Sequence, residues 1–444
     1  MTLWSVTWKR YQNIWFNLFV RPDINVLDKL RSTCRNELFR NLGFTVSGKV
    51  IAVLINFALG IFVARVLTKE DFGKISALSA FSSYFIMLAD YSTFSVAQRN
   101  IILDRERYRD TYYVYVNTKL ITSVLSALLF YAVAIAAGYG VDTELLFILS
   151  ASILVGALCS FPEILLQSFG EYGLFSRLMV VEALAALVIQ GGLVYRYRTV
   201  GAFFLSSLVV SVLILALNFF VVGSKFDVVR KHRVAQKSRI MALLRDSTPV
   251  LLGSFFYILY YRIGVIMLEK FAGYEAAAEY NMAFSRFDQI INIIWVQFII
   301  VFYPKMIEIW DRGPAELERI LGKVSFGLFG VFMLLFFVSH YLSEFFFGLV
   351  YSQKYADSGR IFTLLVPSFL MTTLFALYYR VLIIARKEMV YTVLMAVGAV
   401  VNYVVGYTLV KSYGTIGMVA SISIVNALIL ISTYVMARKC LRAA

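Results

Sequence analysis

Apolar runs of about 20 residues, the length a helix needs to cross a ~30 Å hydrocarbon layer, recur from Leu42 to the end of the chain with short polar breaks between them. Within lipid the backbone must satisfy its own hydrogen bonds, which leaves helices or closed barrels. Barrel strands alternate apolar and polar positions, whereas these runs are continuous, so they read as helices. Spans are expected at roughly 40–65, 75–98, 111–137, 144–168, 175–195, 200–222, 247–268, 280–304, 324–348, 360–385, 389–410 and 415–437. The expected fold class is an all-α polytopic membrane protein of about twelve helices. Composition agrees, since 60% of residues are hydrophobic and 16% charged, against about 25% charged in soluble domains.

A formal charge of +15 would suit nucleic acid, but its placement argues otherwise. Lys and Arg crowd the N-terminal segment, the 98–110 connection, the 223–246 loop, the 305–323 connection and the C-terminal tail, all on the side that holds both termini. By the positive-inside rule that side is cytoplasmic. The charge sets topology, and no nucleic-acid partner is expected.

Cys34, Cys159 and Cys440 are too few and too scattered for a disulfide framework. His232 and His340 form no metal-ligand spacing, and no phosphate-binding Gly-Lys motif occurs, so neither metal nor cofactor is expected. The start does not read as a cleavable signal, because Lys9, Arg10 and Arg21 interrupt its apolar residues. Trp4, Trp8, Tyr11, Trp15 and Phe19 share a helical face opposite Asn13 and Asn17, the pattern of a helix lying in the headgroup layer until Arg21-Pro22. A docking site for a partner is the sharper alternative.

The 223–246 loop splits the chain into two groups of six spans. The expected organisation is an interfacial segment 1–38, a bundle 39–222, a basic linker 223–246, a second bundle 247–437 and a tail 438–444. Residues 176–201 align without a gap on 392–417, a shift of 216, with identities that include Leu178 with Leu394, Met179 with Met395 and Tyr197 with Tyr413. A weaker echo sets 67–73 against 272–278, at the turns after spans 1 and 7. An even-numbered duplication gives two bundles of like orientation, related by an axis along the membrane normal.

Four segments carry a resemblance: Ala64 to Arg99, Tyr260 to Phe287, Val350 to Leu370 and Ala385 to Ile424. In order and spacing they resemble a polysaccharide flippase of the multidrug/oligosaccharidyl-lipid/polysaccharide transporter superfamily. The resemblance implies a bacterial inner-membrane protein that moves a lipid-linked oligosaccharide, with a polysaccharide polymerase and chain-length machinery as possible partners. Two positions depart from the pattern. Arg262-Ile263-Gly264 lacks an Asp that members often have, which puts ion coupling there in doubt, and Ser92 follows Asp90-Tyr91 where glycine is usual.

Five cations fall inside or at the edge of spans: Lys49, Lys119, Arg262, Arg286 and Arg380. A charge at the bilayer centre costs at least ~2.5–3.5 kcal/mol on insertion scales, so each needs a partner or a wet cavity. Arg262 and Arg286 are expected at similar depth on neighbouring spans, where two guanidiniums would suit an anion between them; a lipid diphosphate is the anion the resemblance supplies. The alternative is that Asp288 neutralises one of them. Lys49 and Asp90 are expected at comparable depth, as a salt bridge; Lys119 lines the cytoplasmic vestibule or snorkels, and Arg380 is an anchor near the inner interface. Gln289, Asn292 and Gln297 extend a polar stripe down span 8 from Arg286, which suits a hydroxyl-rich cargo or plain interhelical bonding. Tyr257, Tyr260 and Tyr261 could stack on sugar rings or sit at the interface, and Glu163 and Glu182 could take part in coupling.

The expected function is flipping of a polyprenyl-diphosphate-linked oligosaccharide by alternating access. A drug or small-cation antiporter of the same superfamily is the alternative, disfavoured because the central groups are Arg rather than carboxylates. A membrane glycan polymerase or glycosyltransferase is disfavoured because the outer connections, about twelve residues or fewer, leave no room for a catalytic domain.

Overall fold

The computed structural model describes residues 37–138, 142–226, 235–385, 387 and 389–443, with the side chains of 37–46, 290–297, 300, 301, 304 and 443 outside the description. The aromatic segment 4–19, Cys34, Arg230, Lys231, His232, Arg233 and Arg386 therefore lie outside the described residues.

Helix follows helix: α1 (Glu37–Val66), α2 (Lys69–Leu103), α3 (Tyr108–Ala136), α4 (Thr143–Ser168), α5 (Tyr172–Tyr197) and α6 (Val200–Phe226) form the first half. The second half is α7 (Lys237–Ala272), α8 (Tyr274–Arg312), α9 (Pro314–Tyr351), α10 (Ala356–Ile384) and a helical stretch Met389–Ala443. That stretch breaks at Gly414, whose φ of 55° and ψ of −130° suit a residue without Cβ. A Cβ on Gly417 would lie 2.1 Å from Leu409 O, and Ser421 Oγ reaches Asn402 Oδ1 at 2.9 Å, so the chain doubles back as α11 (389–413) and α12 (415–443).

Among the described residues ten helical stretches are long and apolar enough to cross a membrane. One of them, Met389–Arg442, is the α11–α12 hairpin, and α8, at 39 residues, supplies the remaining span. All twelve expected spans thus fall on helices. The helices overshoot into the connections, and at the basic loop Lys237 already opens α7. Leu243 packs with Val96, Ile101 and Tyr112 of the first half, and Arg239 reaches Asp110 at 3.8 Å. The first turns of α7 therefore rest on the opposite half.

The duplication is visible in backbone contacts. A Cβ on Gly48 of α1 would come within 1.7 Å of Ser176 Oγ on α5, and one on Gly253 of α7 within 3.2 Å of Thr392 Oγ1 on α11. These pairs stand at the offsets already found in the sequence, 205 for 67–73 on 272–278 and 216 for 176–201 on 392–417. Small residues let helix axes approach where lipid offers no hydrophobic drive between them.

Hydroxyl and amide groups tie neighbouring helices. Thr122 Oγ1 donates to Ala89 O at 2.8 Å and Ser126 Oγ to Phe85 O at 2.6 Å, which fixes α3 on α2. In the second half Asn402 Nδ2 donates to Tyr260 O at 3.1 Å, while Asn426 Nδ2 donates to Ser368 Oγ at 2.6 Å and its Oδ1 accepts from the Tyr260 hydroxyl. Such bonds contribute about 0.6 kcal/mol each on average.

The two glycines give a graded prediction. Gly48→Ala should lower thermal stability in detergent by an amount typical of overpacking, about 1–3 kcal/mol, because Ser176 cannot retreat without moving its helix. Gly253→Ala should cost less, since its clearance needs only a few tenths of an ångström. Equal melting shifts for the two would contradict this packing.

Candidate functional site between the two halves

The face holding the α1–α2 and α7–α8 turns is called outer, following the charge bias. In the first half α2 breaks two-thirds of the way along. Tyr91 and Ser92 take left-handed φ of 49° and 51°, so Ser92, the position where glycine was expected, needs glycine-like backbone. Thr93 Oγ1 caps the break by donating to Asp90 O at 2.8 Å.

The break aims Asp90 at α3, where its carboxylate pairs with Lys119. Lys119 is 1% exposed and Asp90 34%. Lys119 Nζ also reaches the Tyr115 hydroxyl at 3.4 Å, which meets Ser160 Oγ at 2.8 Å beside the interruption of α4 at Cys159. Glu163 lies beside Asp90, Lys119 and Glu182, and a π-helical turn, Ala186–Gln190, follows Glu182 in α5. Single π turns inside α-helices recur at functional positions.

The expected Lys49–Asp90 bridge is thus corrected. Lys49 is exposed, and Asp90 takes Lys119 instead. Depth alone suggested Lys49; azimuth on the helix decides for Lys119, which is neither snorkelling nor open to a vestibule.

The second half is arginine-rich. The Arg262 guanidinium lies 5.7 Å from the Tyr261 ring, and Tyr261 stacks on Tyr257 at 5.4 Å. Asp288 sits beside both tyrosines. Arg286, 8% exposed, inserts between the halves: its guanidinium is 5.4 Å from the Phe57 ring of α1 and 5.7 Å from the Tyr351 ring of α9, and Nη1 donates to Gln289 Oε1 at 2.9 Å. The missing Cβ of Gly60 makes room for it. Arg286 Nε is buried without a hydrogen-bond partner.

Arg262 and Arg286 therefore do not form one grip. Arg262 stays among the α7 tyrosines, while Arg286 faces α1 and α9. Arg380, expected as a snorkelling anchor, packs 5.4 Å over the Tyr303 ring of α8 with Nε buried and unpartnered. Tyr379 and Tyr391 lie beside it, their rings tilted by 34° with centroids 4.8 Å apart. Among the described residues none of the three arginines has a carboxylate at ion-pair distance. At Gly264 a Cβ would come within 2.9 Å of Met418 Cε, so a side chain there would have to displace the end of that methionine. The side chains of Asn292 and Gln297 lie outside the described ones. Glu163 gains weight from its place near Lys119, and Glu182 from its place near Glu163, which no spacing in the sequence signals. Among the described residues no group of His, Cys, Asp and Glu is placed to hold a metal.

The outer ends of the halves are closed on each other. Lys69 of α2 pairs with Glu279 of α8 and lies 3.9 Å from Glu275, Asn281 Nδ2 donates to Ser76 Oγ at 2.9 Å, and a Cβ on Gly73 would lie 1.9 Å from Tyr274 O. Towards the inner face the halves meet along α2 and α7, where the Tyr91 and Thr248 hydroxyls are 3.2 Å apart.

Residues 38–310 match the family model described as polysaccharide biosynthesis protein. Nothing matches among curated proteins. Among solved structures, the chain is similar to an inward-facing multidrug resistance MATE family transporter of the MOP superfamily, with a TM-score of 0.69 at 16% identity, covering 88% of this chain and 95% of that one. An outward-facing MATE family transporter of the MOP superfamily gives 0.57 at 14% identity, over 91% and 94%. A MOP superfamily transporter from Pyrococcus furiosus, described as having a binding pocket of reverse polarity that suggests a different function, gives 0.56 at 15%, over 91% and 94%.

The buried pair predicts an asymmetry. Asp90→Asn strands a fully buried Lys119, whereas Lys119→Met leaves a carboxylate that water can still reach. Asp90→Asn should therefore lower thermal stability more, and the double variant should recover most of the loss. Equal losses that simply add would contradict the pairing.

Proposed function

The chain belongs to the polysaccharide biosynthesis protein family, and from that premise we propose that it flips a polyprenyl-diphosphate-linked oligosaccharide, such as an O-antigen or exopolysaccharide repeat unit, across the bacterial inner membrane by alternating access. It is a membrane transporter with a MATE-like fold. In this reading both termini are cytoplasmic and no covalent chemistry is performed on the cargo.

The observation that carries the proposal is the set of three arginines in the second half without a carboxylate partner among the described residues. Each is held by aromatic rings at 5.4–5.7 Å. A cation over a ring gains about 0.5–2 kcal/mol, and hydrogen bonds to an ionised acceptor add about 1.5–3 kcal/mol each. A diphosphate therefore binds without first breaking a strong ion pair. Guanidinium forks match phosphate oxygens in pairs, and the Tyr257–Tyr261 stack and the tilted Tyr379–Tyr391 pair offer faces for sugar rings. The headgroup enters from the inner side, the lipid tail stays between helices, and rocking of the halves exposes the headgroup outside.

A second reading has an observation of its own. Asp90, Glu163 and Glu182 put carboxylates in the first half, and drug antiporters that take cations need such groups. In that case the arginines are structural and cationic compounds are the cargo.

Reconstitution decides between them. Proteoliposomes should move defined lipid-linked oligosaccharides and not cationic dyes. Arg262→Ala and Arg380→Ala should each cut the rate at least tenfold while insertion stays normal, and Arg262→Lys should be intermediate because it keeps charge and loses the fork. Full flipping by both Ala variants, or dye transport that needs Glu163, would sink the oligosaccharide reading.

A further inference from the structure

Arg65 and Lys354 tie the outer ends of the halves by a reciprocal contact. Arg65, in the last turn of α1, donates from Nε to Val350 O at 2.8 Å and from Nη2 to Leu349 O at 2.6 Å, at the end of α9. Lys354, three residues past α9, donates to Leu67 O at the end of α1. Helix ends leave carbonyls without intrahelical partners and carry partial negative charge. The last turn of α9 closes with Ser352 N on Gly348 O, which leaves the Leu349 and Val350 carbonyls for Arg65. Each half thus supplies the cation that caps a helix of the other.

Local backbone serves this arrangement. Ser352 takes a φ of 111°, a conformation rare for a residue with Cβ, and turns the chain into the short 3-10 turn Gln353–Tyr355. That turn carries Lys354 to α1 and sets Tyr355 edge-on against Phe72 of α2 at 5.7 Å.

We propose that the Arg65–Lys354 cross-capping pair is a latch that makes the outer-closed arrangement the resting state of this transporter. The latch holds whatever the cargo is, and so stands apart from the oligosaccharide reading. Arg65 is exposed and Lys354 half-buried. When the ends part, the cations and most of the carbonyls can rehydrate, so the contact biases the equilibrium without freezing it. The α2–α8 seam adds side-chain contacts, Lys69 with Glu279 and Asn281 with Ser76, and the steric fit of Gly73 against Tyr274, whereas Arg65 and Lys354 act on main-chain carbonyls.

A labelling experiment tests the latch. The reporter is Ala278→Cys, at a position 0% exposed and packed in a cluster with Leu67 and Phe72 of the first half, on a background with Cys34, Cys159 and Cys440 replaced by Ser. Its reaction with a membrane-impermeant maleimide applied from the outer side reads how often the outer ends part. The Arg65→Ala, Lys354→Ala double variant should react roughly tenfold faster, the shift expected when state-specific contacts are lost. Arg65→Lys, which cannot reach both carbonyls with one fork, should fall between, and Arg65→Glu should react fastest. Lys411→Ala removes a hydrogen bond to the Tyr407 hydroxyl within the second half, at 2.6 Å, and should change nothing. An unchanged rate in the double variant, or an equal rise for Lys411→Ala, overturns the latch. If the double variant fails to insert, the single variants decide in its place: Arg65→Glu reacting faster than Arg65→Lys supports the latch, and equal rates overturn it.

Discussion

A charge or an open backbone group in hydrocarbon has nowhere to turn but to the protein, and this constraint organises the molecule. The two halves answer it differently. The first neutralises Lys119 with Asp90 and surrounds the pair with the hydroxyls of Tyr115 and Ser160. The second leaves Arg262, Arg286 and Arg380 resting on aromatic faces. A ring is a weaker partner than a carboxylate, so the cations of the second half are held less tightly than Lys119. At Gly264, where a carboxylate would stand in the family pattern, the end of Met418 packs instead.

The duplication preserves shape and lets chemistry diverge. Gly48 on Ser176 and Gly253 on Thr392 repeat one close approach of a glycine to a hydroxyl. Yet position 402 is an Asn inside a polar network with Tyr260, Ser421 and Asn426, while its counterpart at the offset of 216, Ala186, opens the π turn of α5. Backbone contacts that set the distance between helix axes tolerate little change. Side chains facing the cleft are free to differ, which is how two copies of one bundle come to present acids on one side and arginines on the other.

The same distinction explains what the sequence makes legible. Span positions and the repeat follow from hydrophobicity and spacing, which are one-dimensional, and all twelve helices fall where expected. Pairing depends on azimuth and on which helix lies alongside. Lys49 and Lys119 could each reach the depth of Asp90, and only the neighbour relation of α2 and α3 selects Lys119. Arg65 and Lys354 read as ordinary charges near an interface, because their acceptors are main-chain carbonyls nearly 290 positions away. Residues 237–246 read as linker from their charge, whereas Leu243 finds an apolar seat on the first half and the segment is helix.

That last placement constrains how the molecule can move. The start of α7 belongs by its contacts to the first half, through Leu243, Arg239 and the Thr248–Tyr91 hydroxyl pair. From Gly253 onward the helix packs in the second half, against Tyr391 and Thr392 and then Met418. Two rigid halves joined in this way cannot separate at their outer ends unless α7 bends between the two sets of contacts. Pro249 stands in that interval, inside the helix. Lacking an N–H, it removes a backbone bond that bending would otherwise have to break, so the flexible point lies where the load falls.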